Sequence, residues 1–434
     1  MLICASSPMR PNTGVCAKQY AAATGPRDTI MVELLSPAGS LEKLEYALAY
    51  GADAVYVGGS KFSLRATASN FSLQEIKTAS EIVKKADKKL YVALNIFAHQ
   101  ADMGELRTFL EGLSGVRPDA LIIADAGVFS LAKEICPGVA LHVSTQANVT
   151  NLEAAKFWAE AGAKRITLAR ELTLDEISEI TTSLPIETEV FIHGAMCLSY
   201  SGRCWLSHHL AGRDANRGDC AQSCRWDYAL VEEKRPEEAL RVFEDGRGSY
   251  ILSSKDLCLA EEIPLLIKAG VSSFKIEGRM KSTHYVATVT KVYREIIDTV
   301  GANNYSPVKE KQWLGELEKI SHRQYSKGFI IGNGDNLQVA GRTSYMKTAE
   351  FLGAVEEQTA EGCKVKVKNR LLAGDELEVL APAADNKKTK ACFYDENGDL
   401  LTEAHANSVV YFKEKWPPLS LIRRKIEYAQ MANA

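Results

Sequence analysis

No run of 18 or more apolar residues occurs in this chain of 434 residues, so no segment reads as a membrane-spanning helix. Nor is one charge in excess: 52 Lys and Arg stand against 55 Asp and Glu, a formal net charge of −3. That balance excludes a globally basic nucleic-acid coat protein and confines any RNA binding to a local basic patch. A Walker loop, an HExxH pair, a GxSxG elbow and a GxGxxG turn after a strand are all missing, and LSPAGS lacks the spacing of a phosphate loop. Residues 1–30 carry Arg10, Pro11, Lys18, Pro26 and Arg27 and no apolar h-region. They read as a tail or an over-long start rather than as a secretory signal. A reducing, cytoplasmic setting is therefore expected. The ten cysteines are too sparse for a small disulfide scaffold, and where they cluster they read as metal ligands or nucleophiles.

What is present is ordinary globular composition, 46% hydrophobic and 25% charged. At about 150 residues per domain the length suggests three domains, but one α/β barrel takes roughly 250 residues, so a barrel plus a smaller module fits as well. Apolar runs predict strands at Val32–Pro37, Ala54–Gly58, Leu90–Phe97, Ala120–Ala124, Leu141–Thr145, Arg165–Ala169, Glu187–His193, Tyr250–Ser253 and Ser273–Glu277. Helical patterns lie between most of them, such as Leu41–Ala52, Leu73–Ala86, Leu152–Ala161 and Leu174–Thr182. Gly51, Gly162 and Gly270 recur just before strands, where a left-handed helix C-cap is expected. This alternation predicts an α/β fold, a (β/α)8 TIM-like barrel over residues 31–300, with an open doubly wound sheet as the alternative. Nine strands are one too many for the barrel, so Tyr250–Ser253 is expected to lie outside it or to be half of an interrupted unit.

From 196 to 248 the alternation breaks into a Cys-rich insertion. A long aperiodic stretch inside a compact domain is usually functional or cross-linked. Residues 301–344 read as a linker with a helix, and residues 345–425 as a small C-terminal β-barrel domain with a tail over 426–434.

Four cysteines fall in the insertion with the spacing Cys197-x6-Cys204-x15-Cys220-x3-Cys224, and Cys258 follows in SSKDLC. Four thiolates on loops can hold a tetrahedral zinc or a cubane iron–sulfur cluster. Structural zinc favours two tight knuckles and only the second pair is tight, which favours iron–sulfur; free buried thiols are the remaining reading. Cys4, Cys16, Cys136, Cys363 and Cys392 need no special account. The insertion also interleaves Arg203, Arg213, Arg217 and Arg225 with Tyr200, Trp205, Trp226 and Tyr228, a mixture that can grip phosphate and stack bases. Alternatively these arginines pair with Asp214, Asp219 and Asp227 in a solvated loop.

Polar residues follow the strands repeatedly, where a barrel carries its active site. They include Ser36, Tyr56, Asn95, Asp125, Ser144, Gln146, Arg170, His193, Lys275, Glu277 and Arg279. Ser36 and Asp125 can equally be helix N-caps. Glu277, flanked by Lys275 and Arg279, is the leading acidic candidate, with a structural ion pair as the competing reading. With His193 and Asn95 it makes the candidate catalytic set. Arg170, Lys275 and Arg279 join the four insertion arginines as candidate substrate- or RNA-binding residues.

The segments ELLSPAGSLEKLEYALAYGADAVYVGG, FIHGAMCLSYSGRCWLSHHLAGRDANRGDCAQSCR and AGVSSFKIEGRMKS together closely resemble the peptidase U32 family. The resemblance runs from about Val32 to Val300, and the β-rich tail is similar to that family's C-terminal barrel. The family's name implies collagenase-like proteolysis. Resemblance to its better-understood members implies instead an iron–sulfur protein performing oxygen-independent hydroxylation. One branch converts wobble uridine of tRNA to 5-hydroxyuridine with prephenate. Another modifies a cytidine of ribosomal RNA, and a third works as a pair in ubiquinone synthesis. Length and the single β module make this chain most similar to the tRNA branch. The resemblance carries Cys197, Cys204 and Cys220 onto the first three ligands of a 4Fe-4S cluster, with Cys224 as the fourth and Cys258 as a possible substitute. It implies an anticodon stem-loop as partner, its base unstacked into the pocket. Prephenate would be the co-substrate, its two carboxylates within reach of Arg170 and Arg279. The competing expectations are a peptidase using a Cys or Ser nucleophile with His193 or His208, and a zinc-containing RNA-binding factor. The sequence leaves the oligomeric state open.

Overall fold

Strands buried on both faces need near-continuous apolar sequence, and this chain supplies it in short runs. The computed structural model describes residues 32–59, 61–64, 70–197, 199–226, 230–232, 235–240, 254–332 and 345–426. Its first nine strands outside the insertion are β1 (Glu33–Pro37), β2 (Ala54–Gly58), β3 (Lys89–Leu94), β4 (Ala120–Ile123), β5 (Ala140–Val143), β6 (Arg165–Thr167), β7 (Glu187–Ala195), β8 (Asp256–Cys258) and β9 (Ser273–Ile276). All but β8 are parallel and adjacent in order. β9 pairs with both β1, through Leu34 and Phe274, and β7, through Val190 and Phe274, which closes the expected (β/α)8 barrel. These eight correspond to eight of the nine expected strands; Tyr250–Ser253 lies outside the described residues.

The intervening helices start where the sequence offers caps. The Ser72 and Glu75 side chains form a capping box at the helix Leu73–Lys85, and Asp125 accepts from the Val128 amide at 3.0 Å to start the helix Ala126–Ile135. Ser36 is no cap; its hydroxyl lies 2.8 Å from that of Thr290. Gly51, Gly162 and Gly270 have φ of 102°, 108° and 87°, the left-handed conformation expected of them.

β7 is the long strand. Beyond its barrel pairing, Gly194 and Ala195 pair with Leu257 and Asp256 of antiparallel β8. The insertion therefore leaves on one strand and returns on its neighbour. Buried Asp256 is gripped by Arg323 at 3.0 and 2.7 Å, which anchors the short strand Tyr325–Ser326 beside β8. Along β9, Lys275 faces Phe191 but the next residue, Ile276, faces His193. This bulge at Ile192 turns His193 from the barrel interior to the outer side of the sheet.

Inside the lower barrel the apolar pattern gives way to an ionic network, buried at Arg165, Glu33 and Glu189 and exposed at Glu187. Arg165, its side chain 3% exposed, bonds Glu33, Glu187 and Glu189, while Tyr91 donates to Glu33 at 2.7 Å and Lys275 to Glu189 at 2.9 Å. Burial pushes the Glu189 carboxyl up, but Lys275 and Arg165 outweigh it and hold it down to about 2.

Three buried histidines make an acid-sensitive set. His142 packs edge-on to Tyr91, His193 lies among Tyr285, Tyr293 and Tyr325, and His284 stacks on Phe351. Burial lowers each to about 3, so each stays neutral while folded. The unfolded chain binds these protons first, near pH 6.5. Stability is expected to be intact above that pH and to fall from about 6.5 toward 3, by up to roughly 1.4 kcal/mol per pH unit for each histidine. Denaturant midpoints measured across that range check this; a flat profile down to pH 4.5 contradicts it.

Residues 349–425 form an eight-stranded antiparallel sheet around Leu352, Val365, Val367, Phe393, Phe412 and Trp416. This is the small C-terminal β domain the sequence suggests, and among the described residues its two end strands, Lys387–Lys390 and Leu400–Leu401, are not paired with each other. Lysines on the Lys387–Lys390 edge discourage pairing with another chain. The sheet is bolted to the larger domain: the Tyr50 hydroxyl reaches the Leu380 and Leu419 carbonyls at 2.7 and 2.9 Å. Lys291 donates to those of Ala381 and Ala384.

Candidate active site

A cavity of about 890 Å³, open mouth included, sits at the C-terminal ends of the barrel strands. Strands β2 to β7 and β9, or the residues just after them, line its floor and walls, and the insertion covers it with segments around Cys197, Cys204 and Cys220. Residues 199–226 of the insertion are docked on the barrel. Arg217 makes two hydrogen bonds to Asp102, at 2.8 and 2.9 Å, and Arg203 lies 4.8 Å over the Phe97 ring. The Arg217 bonds hold Asp102 down to about 2.

Three cations line the cavity, each fixed by a different means. Arg279 is 6% exposed and donates to Ser63 Oγ at 3.3 Å, to Asn70 Oδ1 at 3.4 Å and to the Leu64 carbonyl. It fits only because residue 58 is glycine: a Cβ there would lie 1.5 Å from Nη1. Arg170 donates to the Ala195 carbonyl at 2.6 Å and spreads its guanidinium 3.9 Å over the Phe191 ring. Lys275 reaches down to Glu189. Glu277, next but one along the same strand direction, lines the cavity as the sequence suggested. Asn95 lines it too, with both ends of its amide engaged: Oδ1 accepts from Leu64 N at 3.0 Å and Nδ2 donates to Gln146 at 3.1 Å. That is a positioning arrangement rather than acid–base equipment.

The cysteines divide. Cys197, Cys204 and Cys220 share the cavity wall; Cys224, half-buried on the turn Ser223–Arg225, is not among its lining residues. Among the described residues no three His, Cys, Asp or Glu side chains stand so as to hold a metal ion. Cys258 lies apart. It is buried in β8 with Sγ 3.8 Å from the Tyr293 hydroxyl, and burial pushes its thiol up to about 11. It is not among the residues that line the cavity. Cys136 and Cys363 are buried, Cys392 is exposed, and Cys4 and Cys16 lie outside the described residues.

His193 also departs from expectation. The β7 bulge faces it to Tyr293, 3.3 Å from its hydroxyl, and among the described residues no histidine lines the cavity. Of the insertion arginines, Arg213 pairs with Asp219 and Arg217 with Asp102, so both have internal partners. The Arg225 side chain, Asp227 and Tyr228 lie outside the described residues. The aromatics are more available: Tyr200, Trp205 and Trp226 are 52%, 69% and 43% exposed. Sequence reasoning missed the Arg165–Glu189 network beneath the floor, although charged residues inside otherwise apolar strands were its signal.

A barrel whose mouth is floored by cations and covered by a cysteine-bearing loop, with a β module behind it, defines a class of (β/α)8 protein. Residues 39–339 match Peptidase family U32, and residues 347–423 match the Peptidase family U32 C-terminal domain. The chain is 41% identical over 399 residues to "tRNA hydroxylation protein P1" of Bacillus subtilis, covering 90% of this chain and 94% of that one. It is 38% identical over 420 residues to "tRNA hydroxylation protein P" of Escherichia coli (85% and 90%), and 34% identical over 312 residues to "Collagenase" of Porphyromonas gingivalis (69% and 73%). The chain belongs to peptidase family U32.

Proposed function

We propose that this chain is an RNA-modifying hydroxylase that converts wobble uridine of tRNA to 5-hydroxyuridine, with prephenate as co-substrate and a cysteine-bound 4Fe-4S cluster. The observation that carries the reading is the cavity where Cys197, Cys204 and Cys220 face Arg170, Lys275 and Arg279, in a chain 41% identical to a tRNA hydroxylation protein. Structural zinc favours two tight cysteine knuckles, and here only Cys220 and Cys224 are closely spaced. Loop cysteines with that spacing, three of them lining one cavity, suit an iron–sulfur cluster better than structural zinc. The cluster, held by Cys197, Cys204 and Cys220 with Cys224 nearest in sequence, would supply the electron-transfer chemistry.

The chain's own residues do the rest. Arg279 and Arg170 take the two carboxylates of prephenate by charge-assisted hydrogen bonds, and their fixed positions orient it. The exposed rings of Tyr200, Trp205 and Trp226 stack bases of an anticodon loop, from which one base is turned into the cavity at low cost. Proteolysis is less well served, since among the described residues no histidine stands in the cavity to activate a nucleophile.

Mass spectrometry of tRNA nucleosides from cells with and without the gene tests the proposal: 5-hydroxyuridine is expected to disappear, and unchanged levels overturn it. Gly58→Ala pushes Arg279 off its seat. It is expected to lower 5-hydroxyuridine formation by roughly tenfold with the melting temperature little changed. Full activity in that variant removes Arg279 from the site.

A further inference from the structure

We propose that Lys275 is an imine-forming lysine whose amine condenses with the carbonyl of a 2-oxo acid seated in the barrel-mouth cavity. The proposal deepens the reading that this cavity takes the small co-substrate, since prephenate carries a 2-oxo acid side chain.

Lys275 belongs to the ionic network of the lower barrel, yet it behaves differently from the other members. Arg165, Glu33 and Glu189 are sealed beneath the floor, whereas among the described residues Lys275 is the member that lines the cavity. Its Nζ donates to Glu189 Oε1 at 2.9 Å and lies 4.8 Å from the Tyr56 ring centre and 5.4 Å from that of Phe191. Glu189 is itself held by Thr167 at 2.8 Å and Ser273 at 3.2 Å, as well as by Arg165. The lysine's charge is therefore already matched from below. It adds little as a holder of anions, for which Arg170 and Arg279 stand ready on the same walls.

What the lysine offers the cavity is a desolvated amine between two aromatic faces, the setting in which lysines serve as nucleophiles. Burial lowers its pKa below the ordinary lysine value even with Glu189 beside it. Condensation of the ammonium form with a ketone gives a protonated imine and one water. A C–N bond forms, the carbonyl C–O bond breaks, and neither partner is oxidised or reduced. The single positive charge remains beside Glu189, so the ion pair survives the reaction. Arg170 and Arg279 hold the carboxylate next to the carbonyl, and Glu277 lines the same cavity as the group that relays protons.

The test incubates the purified full-length protein with pyruvate or phenylpyruvate and cyanoborohydride, followed by intact mass and peptide mapping. One reduced adduct per chain, on Lys275, is expected. Lactate, which lacks the carbonyl, gives none, and Lys275→Arg loses the adduct. No adduct from either acid, or adducts on other lysines with Lys275 unmodified, overturns the proposal. Mapping on the unmodified chain decides the question even if the variant fails to fold. RNA is absent from the reaction. An adduct without any change in tRNA nucleosides on gene deletion therefore rejects the hydroxylase reading and keeps the lysine, and the reverse pattern does the opposite.

Discussion

Arg165→Ala is expected to destabilise the folded chain by about 3–5 kcal/mol, because removing one partner of a buried ion pair leaves carboxylates without compensation. Glu33 and Glu189 both face this guanidinium inside the barrel, their side chains 10% and 1% exposed. Without it, among the described residues, Glu33 keeps as cation only the more exposed Lys89, at 3.3 Å, and Glu189 only Lys275. By contrast Lys61, more than half exposed and paired with equally exposed Glu105, is expected to matter little when replaced. The pH dependence separates the mechanism from simple loss of packing. Glu189 is held at about 2 against 4.5 when unperturbed, so its contribution is present above pH 4.5 and lost as pH falls toward 2. Arg165→Ala should flatten that acid limb as well as lower the melting temperature. A variant that melts within a degree or two of the parent would show that the network does not stabilise the barrel.

Cys220→Ala is expected to lose bound iron and to lower 5-hydroxyuridine formation by about a hundredfold or more, since even residues behind a metal's ligands cost ten- to a hundredfold. Cys220 is half-buried on the covering loop and its Sγ accepts from the Gln222 amide at 3.3 Å, so folding should be nearly unaffected. Cys258→Ala should do the opposite, because its thiol fills a core position: a loss of stability with iron and activity retained. Iron content, absorbance and nucleoside analysis of the two variants check the pair. Full iron in Cys220→Ala would remove that residue from the ligand set.

The contrast between these cysteines shows where sequence reading stops. The barrel was legible because parallel strands buried on both faces must be apolar, and the strand–helix alternation repeats that constraint eight times. Clustering made Cys197, Cys204 and Cys220 stand out, and the structure brings those three to one cavity. His193 was misplaced because period-two alternation cannot foresee a bulge one residue earlier. The insertion arginines were ambiguous for a different reason: the partner of Arg217 is Asp102, 115 residues away, and only the fold reveals it. β8 is three residues long, too short for any periodicity to show. The C-terminal strands were legible one by one, but their order in the sheet depends on pairing that local sequence does not encode.

The antiparallel pairing of Ala195 with Asp256 also sets what the insertion costs the fold. Seen from the barrel, everything between those two residues is the tip of a hairpin. The entropy of closing such a loop grows only with the logarithm of its length, about 0.6 kcal/mol per doubling. The barrel therefore tolerates changes of length at that point. The cysteine-bearing segment sits where the closure of the barrel depends least on it, and changes in its length alter the cover of the cavity while leaving the strand pairing beneath in place.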